Sequence, residues 1–395
     1  MRTYRELFRT PEYTPLFASR TLAIAGSTVS GLALGTLVFT KTGSPLLSAL
    51  SMFGPALAQV LGATLLMSAA DRLPPRGTLT WLVALIGLGT AAQAIPGMPI
   101  SGLFAILLGE GVLTSLMGGV RFGLLNEILP REGFVLGRSV LNMSVGTMQI
   151  CGFAIGGVLV VVLAPRGTLL AGAALYLVAA AVARAGLSAR PPRASGRPSI
   201  TATWRVNARL LSSPPRLYAY LALWVPNGLI VGCESLFVSY TPAHGGVLLA
   251  AAALGMLTGD TLMGRFVPRR HRERLSAPLR LLLAVPYAVF ATHPSLPVAA
   301  GAAALASIGY SASLLLQDRL MRLTPDELSG HALGLGSSGL MAMQGVAAAL
   351  AGTVAQWTSP GTAMTVMAAL SIMITLALTP GLRPLPPEPT LHPAP

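Results

Sequence analysis

Two carboxylic acids stand far from any other charge in this chain of 395 residues. Glu110 is the only charged residue in the stretch AILLGEGVLTSLMGG, residues 105–119, and Glu234 has similarly apolar neighbours in the second half. Burial in an apolar medium disfavours the charged form of a carboxyl group, so such an acid can bind and release a proton near neutral pH. The two acids therefore suggest proton exchange as the chemistry of this protein.

The other reactive side chains form no catalytic pattern. The two cysteines lie in apolar stretches without metal or redox spacing, and the five histidines are scattered along the chain. No nucleophile elbow, phosphate loop or zinc motif is present in the sequence. We therefore expect no enzyme activity, no metal and no cofactor. The least favoured class is a membrane enzyme or a non-transporting scaffold. Its mark would be a cluster of catalytic residues at one interface, and the sequence contains none.

The composition places both acids in a membrane. The chain is 53% hydrophobic and only 10% charged, with a mean hydropathy of +0.68. Soluble globular proteins carry about 25% charged residues. Apolar runs of 18 residues or more recur along the chain, and each can cross the hydrocarbon core as a helix. These features predict an all-α membrane protein with twelve spans, at residues 14–39, 46–69, 77–96, 99–121, 137–163, 167–187, 217–240, 245–264, 277–293, 295–316, 330–356 and 360–380.

The basic residues predict the orientation of these spans. With twelve spans and both termini in the cytoplasm, all of the 27 Lys and Arg residues except Lys41 and Arg166 fall on the cytoplasmic side. Topology thus explains the net charge of +14, and we expect no nucleic-acid partner. A multi-pass protein of the bacterial inner (plasma) membrane is predicted, because the composition is typical of a GC-rich bacterial coding sequence.

An internal repeat divides the chain into halves. The sequence RLPPR at residues 72–76 recurs as RFVPR at 265–269, and GRSVLNMSVG at 137–146 recurs as GHALGLGSSG at 330–339. Both pairs have the same offset, and parallel repeats of this kind rock against each other around a central site. We predict four regions: a six-helix bundle at 1–187, a basic cytoplasmic linker at 188–215, a second six-helix bundle at 216–380, and a disordered Pro-rich cytoplasmic tail at 381–395.

Two motifs resemble the major facilitator superfamily, and within it the bacterial drug-efflux branch of proton antiporters. The loop ADRLPPR at residues 70–76 is similar to the family signature Gly-x-Leu-Ala-Asp-Arg-x-Gly-Arg-Arg, and GFAIGG at 152–157 is similar to its antiporter motif, with Phe153 in place of Pro. The first resemblance implies an inner gate at Asp71, Arg72 and Arg76. In the second motif, Gly152, Gly156 and Gly157 are small enough for close helix packing. We also assign Arg20, Arg121, Asp260 and Arg265 to the gate, where Asp260 could pair with Arg265 or Arg319.

The resemblance also implies that the first, fourth, seventh and tenth spans line a central cavity. Glu110 lies near the middle of the fourth span, and Glu234 lies in the seventh. Both deep acids therefore fall on helices assigned to that cavity. Either acid could instead be a silent, protonated group that joins two helices. The further polar residues predicted to line the cavity are Thr114, Tyr220, Asn227, Ser307, Tyr310 and Gln317.

The expected function is secondary active transport. Two acids and no basic residue near the membrane midplane suit a lipophilic, possibly cationic small molecule, such as an antibiotic or metabolite. Export by alternating access with proton antiport, as in multidrug resistance, is the leading hypothesis. Proton-coupled uptake of a small nutrient is the alternative, since one fold supports both directions. The expected partners are the substrate, protons and the lipid bilayer, and the chain is expected to act as a monomer.

Overall fold

The computed structural model describes residues 4–70, 73–192, 200–267 and 269–382, and these residues form helices and connecting turns without strands. The α-helices are α1 Tyr4–Arg9, α2 Tyr13–Thr42, α3 Pro45–Phe53, α4 Pro55–Ala70, α5 Pro75–Gln93, α6 Ile100–Ile128, α7 Arg131–Gly186, α8 Ile200–Leu211, α9 Pro214–Glu234, α10 Phe237–Tyr240, α11 Gly245–Arg265, α12 Arg269–Ala284, α13 Leu296–Ile308, α14 Ala312–Arg322, α15 Ser329–Trp357 and α16 Pro360–Leu378. Shorter 3-10 turns occupy Val285–Thr292, Gly309–Ser311, Asp326–Leu328 and Thr379–Leu382.

The helices account for the predicted membrane crossings. Within the described residues, ten helical stretches are long and apolar enough to span a bilayer. One of them, Leu136–Gly186, contains two crossings, because the backbone of α7 leaves helical geometry at Ala164, where φ is 56° and ψ is 168°, immediately before Pro165. Helix α5, at the third predicted span, is not among these ten stretches, and it packs against both α6 and α7. The predicted all-α membrane fold is confirmed.

Proline and serine fix where several spans begin. Helices α3, α5, α9 and α16 have Pro in the first turn, where its missing N–H costs no hydrogen bond. The Ser44 hydroxyl accepts a bond from the Leu47 N–H at 3.2 Å, and the Ser359 hydroxyl accepts one from the Thr362 N–H at 3.1 Å. Gly43 ends α2 with a φ of 63°, which an L side chain adopts only with strain. These caps keep the turns between spans short.

Small residues bring the two halves of the chain together. A Cβ atom at Gly152 of α7 would stand 2.8 Å from Thr28 Cβ, and one at Gly156 would stand 3.4 Å from Val29 Cα. Both glycines therefore pack against α2. Gly157, on the same helix, instead faces α11 of the second half, where it meets Gly246. A second cross-half contact lies between α3 and α15, where the Ser44 hydroxyl donates to Gln356 Oε1 at 2.8 Å. Contact through small residues lets backbones approach closely in lipid, where van der Waals packing drives association.

We predict that Gly246→Ala weakens this contact. The new Cβ would stand 2.8 Å from Gly157 Cα and 2.9 Å from the Phe153 carbonyl oxygen, and backbone atoms cannot move aside as a flexible side chain can. Overpacking of this kind costs roughly 1–3 kcal/mol, which should lower the melting temperature in detergent. Gly301→Ala in α13 is the control, because a Cβ there has nothing within 4 Å. Equal melting temperatures for the two variants would contradict the assignment.

An ion-pair network holds the start of the linker region against the first half. Arg190 donates to both carboxylate oxygens of Glu12, at 2.6 and 2.9 Å, and its Nε lies 3.3 Å from Glu127 Oε2. Ser188 adds two hydrogen bonds to Glu12, from its hydroxyl at 2.8 Å and its N–H at 3.2 Å. Helix α8 and its exposed Trp204 lie in the rest of the predicted linker. Residues 193–199, also in the linker, and most of the predicted tail lie outside the described residues.

The network predicts a pH-dependent contribution to stability. Partial burial raises the pKa of Glu12, but the hydrogen bonds from Arg190 and Ser188 and the positive charge of Arg190 outweigh it, so the pKa lies below its ordinary value of 4.5. A lowered pKa means that the stabilisation is present above pH 4.5 and is lost as the pH falls below it. Glu12→Gln should therefore lower the unfolding free energy by about 1 kcal/mol at pH 7.

Thermal unfolding of wild type and Glu12→Gln at pH 7 and pH 4 tests this prediction. The difference between the two melting temperatures should shrink as the pH falls, because protonation removes the same charge from the wild type. A difference that stays constant across this range would show that Glu12 acts through packing alone.

Candidate functional site

A cavity of about 310 Å³ lies between the first half and α15 of the second half. Helices α2 to α6 and Tyr176 of α7 supply most of its wall, and Met341 and Gln344 of α15 supply the remainder. Polar groups occur along the whole wall: Ser27, Ser30, Ser51, Gln59, Thr90, Gln93, Glu110, Thr114, Arg121, Tyr176 and Gln344. A largely apolar cavity with a few convergent polar groups is the usual form of a small-molecule site.

Glu110 faces this cavity from α6 and is hydrogen-bonded to α5. The Thr90 hydroxyl lies 3.1 Å from Oε1, and the Gln93 side-chain amide lies 3.4 Å from Oε2. Gly89 leaves room for the carboxylate, since a Cβ there would stand 2.9 Å from Oε1. No ion pair joins Glu110 to a basic side chain among the described residues. The acid is thus held by neutral donors beside an open space.

Arg121 occupies the opposite end of the same cavity. It follows Glu110 by eleven residues on α6, which corresponds to about 16 Å along the helix axis. Tyr176 lies close enough to Glu110 and to Arg121 to interact electrostatically with both. Thr114, which also lines the cavity, donates its hydroxyl to the Glu110 backbone carbonyl at 2.7 Å. The sequence stripe from Glu110 through Thr114 to Arg121 therefore forms one continuous wall.

Glu234 is placed in a separate polar cluster in the second half. The Ser307 hydroxyl lies 3.5 Å from Glu234 Oε1, and the side chains of Tyr287 and Tyr310 lie beside the same carboxylate. Neither tyrosine hydroxyl has another hydrogen-bond partner among the described residues. Glu234 does not line the cavity that holds Glu110. The structure thus brings Ser307 and Tyr310 together with Glu234, and it keeps the two deep acids apart.

The other residues predicted for the cavity join helices. Tyr220 stacks on Trp224 at 5.0 Å between ring centroids and donates to the Ala332 carbonyl at 3.2 Å, which ties α9 to α15. The Asn227 amide lies 3.4 Å from the Ser313 hydroxyl. Gln317 is half-buried on α14. None of the three lines the cavity of Glu110.

The residues assigned to the inner gate fall in different surroundings. Arg76 donates to the Arg184 carbonyl at 2.6 and 3.1 Å, where it caps the end of α7. Asp260 is exposed on α11 and makes no ion pair with Arg265 or Arg319. The Arg265 guanidinium lies 6.0 Å from the centre of the Phe266 ring. Arg20, on α2, is half-buried near Arg121. Asp71 and Arg72 lie outside the described residues.

Sequence reasoning missed Thr90, Gln93 and Tyr176. The third and sixth spans, which carry them, were not assigned to the cavity. Thr90 and Gln93 are three residues apart and so share one face of α5, which is a weak signal on its own. Only the packing of α5 on α6 shows that this face meets Glu110.

Comparison with solved structures gives the class of fold. The chain is similar to a POT family transporter in complex with 5-aminolevulinic acid, with a TM-score of 0.73, 12% identity, and coverage of 94% of this chain and 96% of that one. It is also similar to the nucleoside transporter NupG, with a TM-score of 0.75, 12% identity and coverage of 93% and 99%. The chain is also similar to a bacterial homologue of the human lysosomal transporter Spinster in an inward-facing and unoccupied conformation. The TM-score is 0.69 and the identity 14%, with coverage of 97% of this chain and 95% of that one.

These likenesses show that the chain has the same all-α membrane fold as these transporters. No protein-family model matches the chain, and no curated protein is similar to it in sequence. At such low identity the fold is what the comparisons establish, and the residues of the cavity must carry any argument about function.

The contrast between the two acids can be tested by labelling. Dicyclohexylcarbodiimide reacts with protonated carboxyl groups that it can reach through an apolar medium. We predict that Glu110 is modified at pH 6 much faster than Glu234, because Glu110 borders the cavity whereas Glu234 is enclosed by Tyr287, Ser307 and Tyr310. Mass spectrometry of peptides from the treated protein measures both sites in one sample. Faster modification of Glu234 would contradict the placement.

Proposed function

We propose that this protein is a secondary transporter that exports a lipophilic small molecule by alternating access, with Glu110 as the group that couples transport to proton antiport. One observation carries the proposal. Glu110 borders a cavity between the halves, and its side-chain partners among the described residues are the neutral Thr90 and Gln93. A carboxyl group inside the membrane that faces a cavity and lacks a basic partner is free to change its protonation state.

The hydrogen bonds around Glu110 suit both of its protonation states. The Thr90 hydroxyl lies 3.1 Å from Glu110 Oε1 and 2.9 Å from the Ile86 carbonyl, and it has one hydrogen to donate. With Glu110 ionised, that hydrogen can point to the carboxylate. With Glu110 protonated, Thr90 can donate to Ile86 and accept the carboxyl hydrogen instead. Rotation of one hydroxyl therefore satisfies either state without movement of the backbone.

The contacts between the halves support alternating access. The cross-half contacts at Gly157 and Gly246 and at Ser44 and Gln356 are close, whereas the cavity separates the halves at Gln344. The halves also meet through apolar side chains, because Leu32 and Ala49 of the first half belong to a buried cluster made mainly by the second half. Proton occupancy of Glu110 would bias this equilibrium only if the two arrangements bind the proton with different affinities.

Proton-coupled uptake is the second candidate. Its support is the similarity in fold to POT family transporters, one of which is in complex with 5-aminolevulinic acid. Export has its support in the loop and glycine motifs of the sequence, which resemble those of the drug-efflux branch. Both candidates assign the same coupling role to Glu110, and they differ in the direction in which substrate moves relative to the proton.

Transport in proteoliposomes tests the coupling role. Vesicles that contain an internal pH dye are given a panel of lipophilic cations, anions and neutral compounds under an imposed pH gradient. For any compound that the protein transports, Glu110→Gln should reduce uphill accumulation and substrate-induced proton flux at least tenfold. Downhill exchange of the same compound should persist, because the cavity remains.

Two further variants complete this test. Glu327→Gln, which makes the same chemical change at an exposed position, should leave proton-driven transport unchanged. Glu234→Gln distinguishes the two deep acids, and we expect it to retain coupling. Intact coupling in Glu110→Gln, or its loss in Glu234→Gln alone, would overturn the role given to Glu110. The direction of proton flux relative to substrate separates export from uptake.

A further inference from the structure

Arg20 and Arg121 of the first half form no ion pair with an acid among the described residues. The Nε and Nη2 atoms of Arg121 are buried without a hydrogen-bond partner in the described part of the chain, and so is the Nε atom of Arg20. Arg121 lines the cavity, and Arg20 lies near enough for the two positive charges to repel each other. An arginine side chain keeps its proton in proteins, so it cannot relieve this situation by becoming neutral.

The acids that lie near these arginines among the described residues are engaged elsewhere. Glu12 and Glu127 both bind Arg190. Glu110 is about 16 Å from Arg121 along the helix axis and is bonded to Thr90 and Gln93. The aromatic neighbours Tyr13 and Tyr176 offer no formal charge, and the Tyr13 hydroxyl donates to the Gly137 carbonyl at 2.9 Å. The described protein therefore supplies no counter-ion at this end of the cavity.

We propose that Arg121 binds the anionic group of the transported molecule, a carboxylate or a phosphate, and that Arg20 strengthens this binding through its charge. The inference rests on the proposed function and narrows the substrate to an amphipathic organic anion. A guanidinium presents several N–H donors in a planar fork that matches carboxylate and phosphate oxygens. An anion in the cavity would offset the repulsion between the two arginines, through the part of the Arg121 side chain that lines the cavity. The apolar part of the molecule would lie along the cavity wall toward Glu110.

This inference changes the expected charge of the substrate. The sequence alone favours a cation, because no basic residue is predicted near the membrane midplane. The structure shows that the cavity extends from the level of Glu110 to that of Arg121 and does not end at the midplane. A molecule in this cavity therefore meets a fixed positive charge at one end and a protonatable carboxyl group at the other.

Binding to the full chain in detergent tests the inference. Four probes share one ring system and differ in charge: 1-naphthoate, 1-naphthyl phosphate, the neutral 1-naphthalenemethanol and the cationic 1-naphthylmethylamine. Calorimetry should give a dissociation constant for naphthoate or naphthyl phosphate at least tenfold lower than for the neutral alcohol, with the amine weakest. Tightest binding of the amine, equal binding of all four probes, or binding of none of them would overturn the proposal.

Variants locate the anion site. Arg121→Gln should weaken anion binding at least tenfold, Arg121→Lys less, and Arg20→Gln about threefold. Arg280→Gln is the control, because Arg280 is a buried arginine on α12 that does not line the cavity. Without a probe, Arg121→Gln should melt no lower than the wild type, since it removes a charge that has no partner. A lower melting temperature together with unchanged anion binding would make Arg121 a structural residue and overturn the assignment.

Two further comparisons separate this proposal from its alternatives. Binding is repeated in nanodiscs of phosphatidylcholine and of phosphatidylglycerol. Equal naphthoate binding in both supports a small-molecule site, and its loss in phosphatidylglycerol would assign the arginines to a lipid headgroup and overturn the substrate assignment. Glu110→Gln should still bind naphthoate. If anion binding is absent while Glu110→Gln still abolishes proton-driven transport, the substrate assignment fails and the proposed function stands.

Discussion

The cost of holding ionisable groups in an apolar medium governs the interior of this protein. An isolated charge buried in the membrane costs several kcal/mol, so each such group must find donors, acceptors, an opposite charge or water. Glu110 and Glu234 meet this requirement in different ways. Glu234 is surrounded by three hydroxyl-bearing side chains, whereas Glu110 has two neutral partners and an open cavity. Only the second arrangement leaves a route by which a proton can arrive and leave.

Close packing of small residues makes this arrangement possible. Gly89 leaves the space that the Glu110 carboxylate fills, and Gly157 and Gly246 let α7 and α11 approach across the two halves. A Cβ atom at Gly89 would stand 2.9 Å from Glu110 Oε1, and one at Gly246 would stand 2.8 Å from Gly157 Cα. The absence of a side chain at these two positions therefore serves two purposes: it makes room for the acid, and it lets the halves approach.

The fold could be predicted from sequence because the bilayer leaves few choices. Lipid offers no hydrogen bonds, so each apolar run of sufficient length must be a helix, and the arginines then fix the number of crossings. The depth of Glu110 follows from the same counting. The hydrogen-bond partners of Glu110 cannot be predicted in this way. The rotation of α5 that turns Thr90 and Gln93 toward Glu110 depends on how the helices pack. The same reason explains why Tyr220 was expected in the cavity and instead joins α9 to α15.

The pairing of charges is the part of the site that no sequence pattern could give. Arg121 and Arg20 have the positions of ordinary cytoplasmic arginines. That neither has an acidic partner in the described part of the chain becomes visible only in the structure, where Arg190 engages both Glu12 and Glu127. That engagement anchors the beginning of the linker region and at the same time leaves the end of the cavity positive. The first half thus carries both ionisable groups of the cavity, and α15 contributes the neutral side chains of Met341 and Gln344. If the halves move relative to each other as proposed, Glu110 and Arg121 would keep their separation, because both lie on α6.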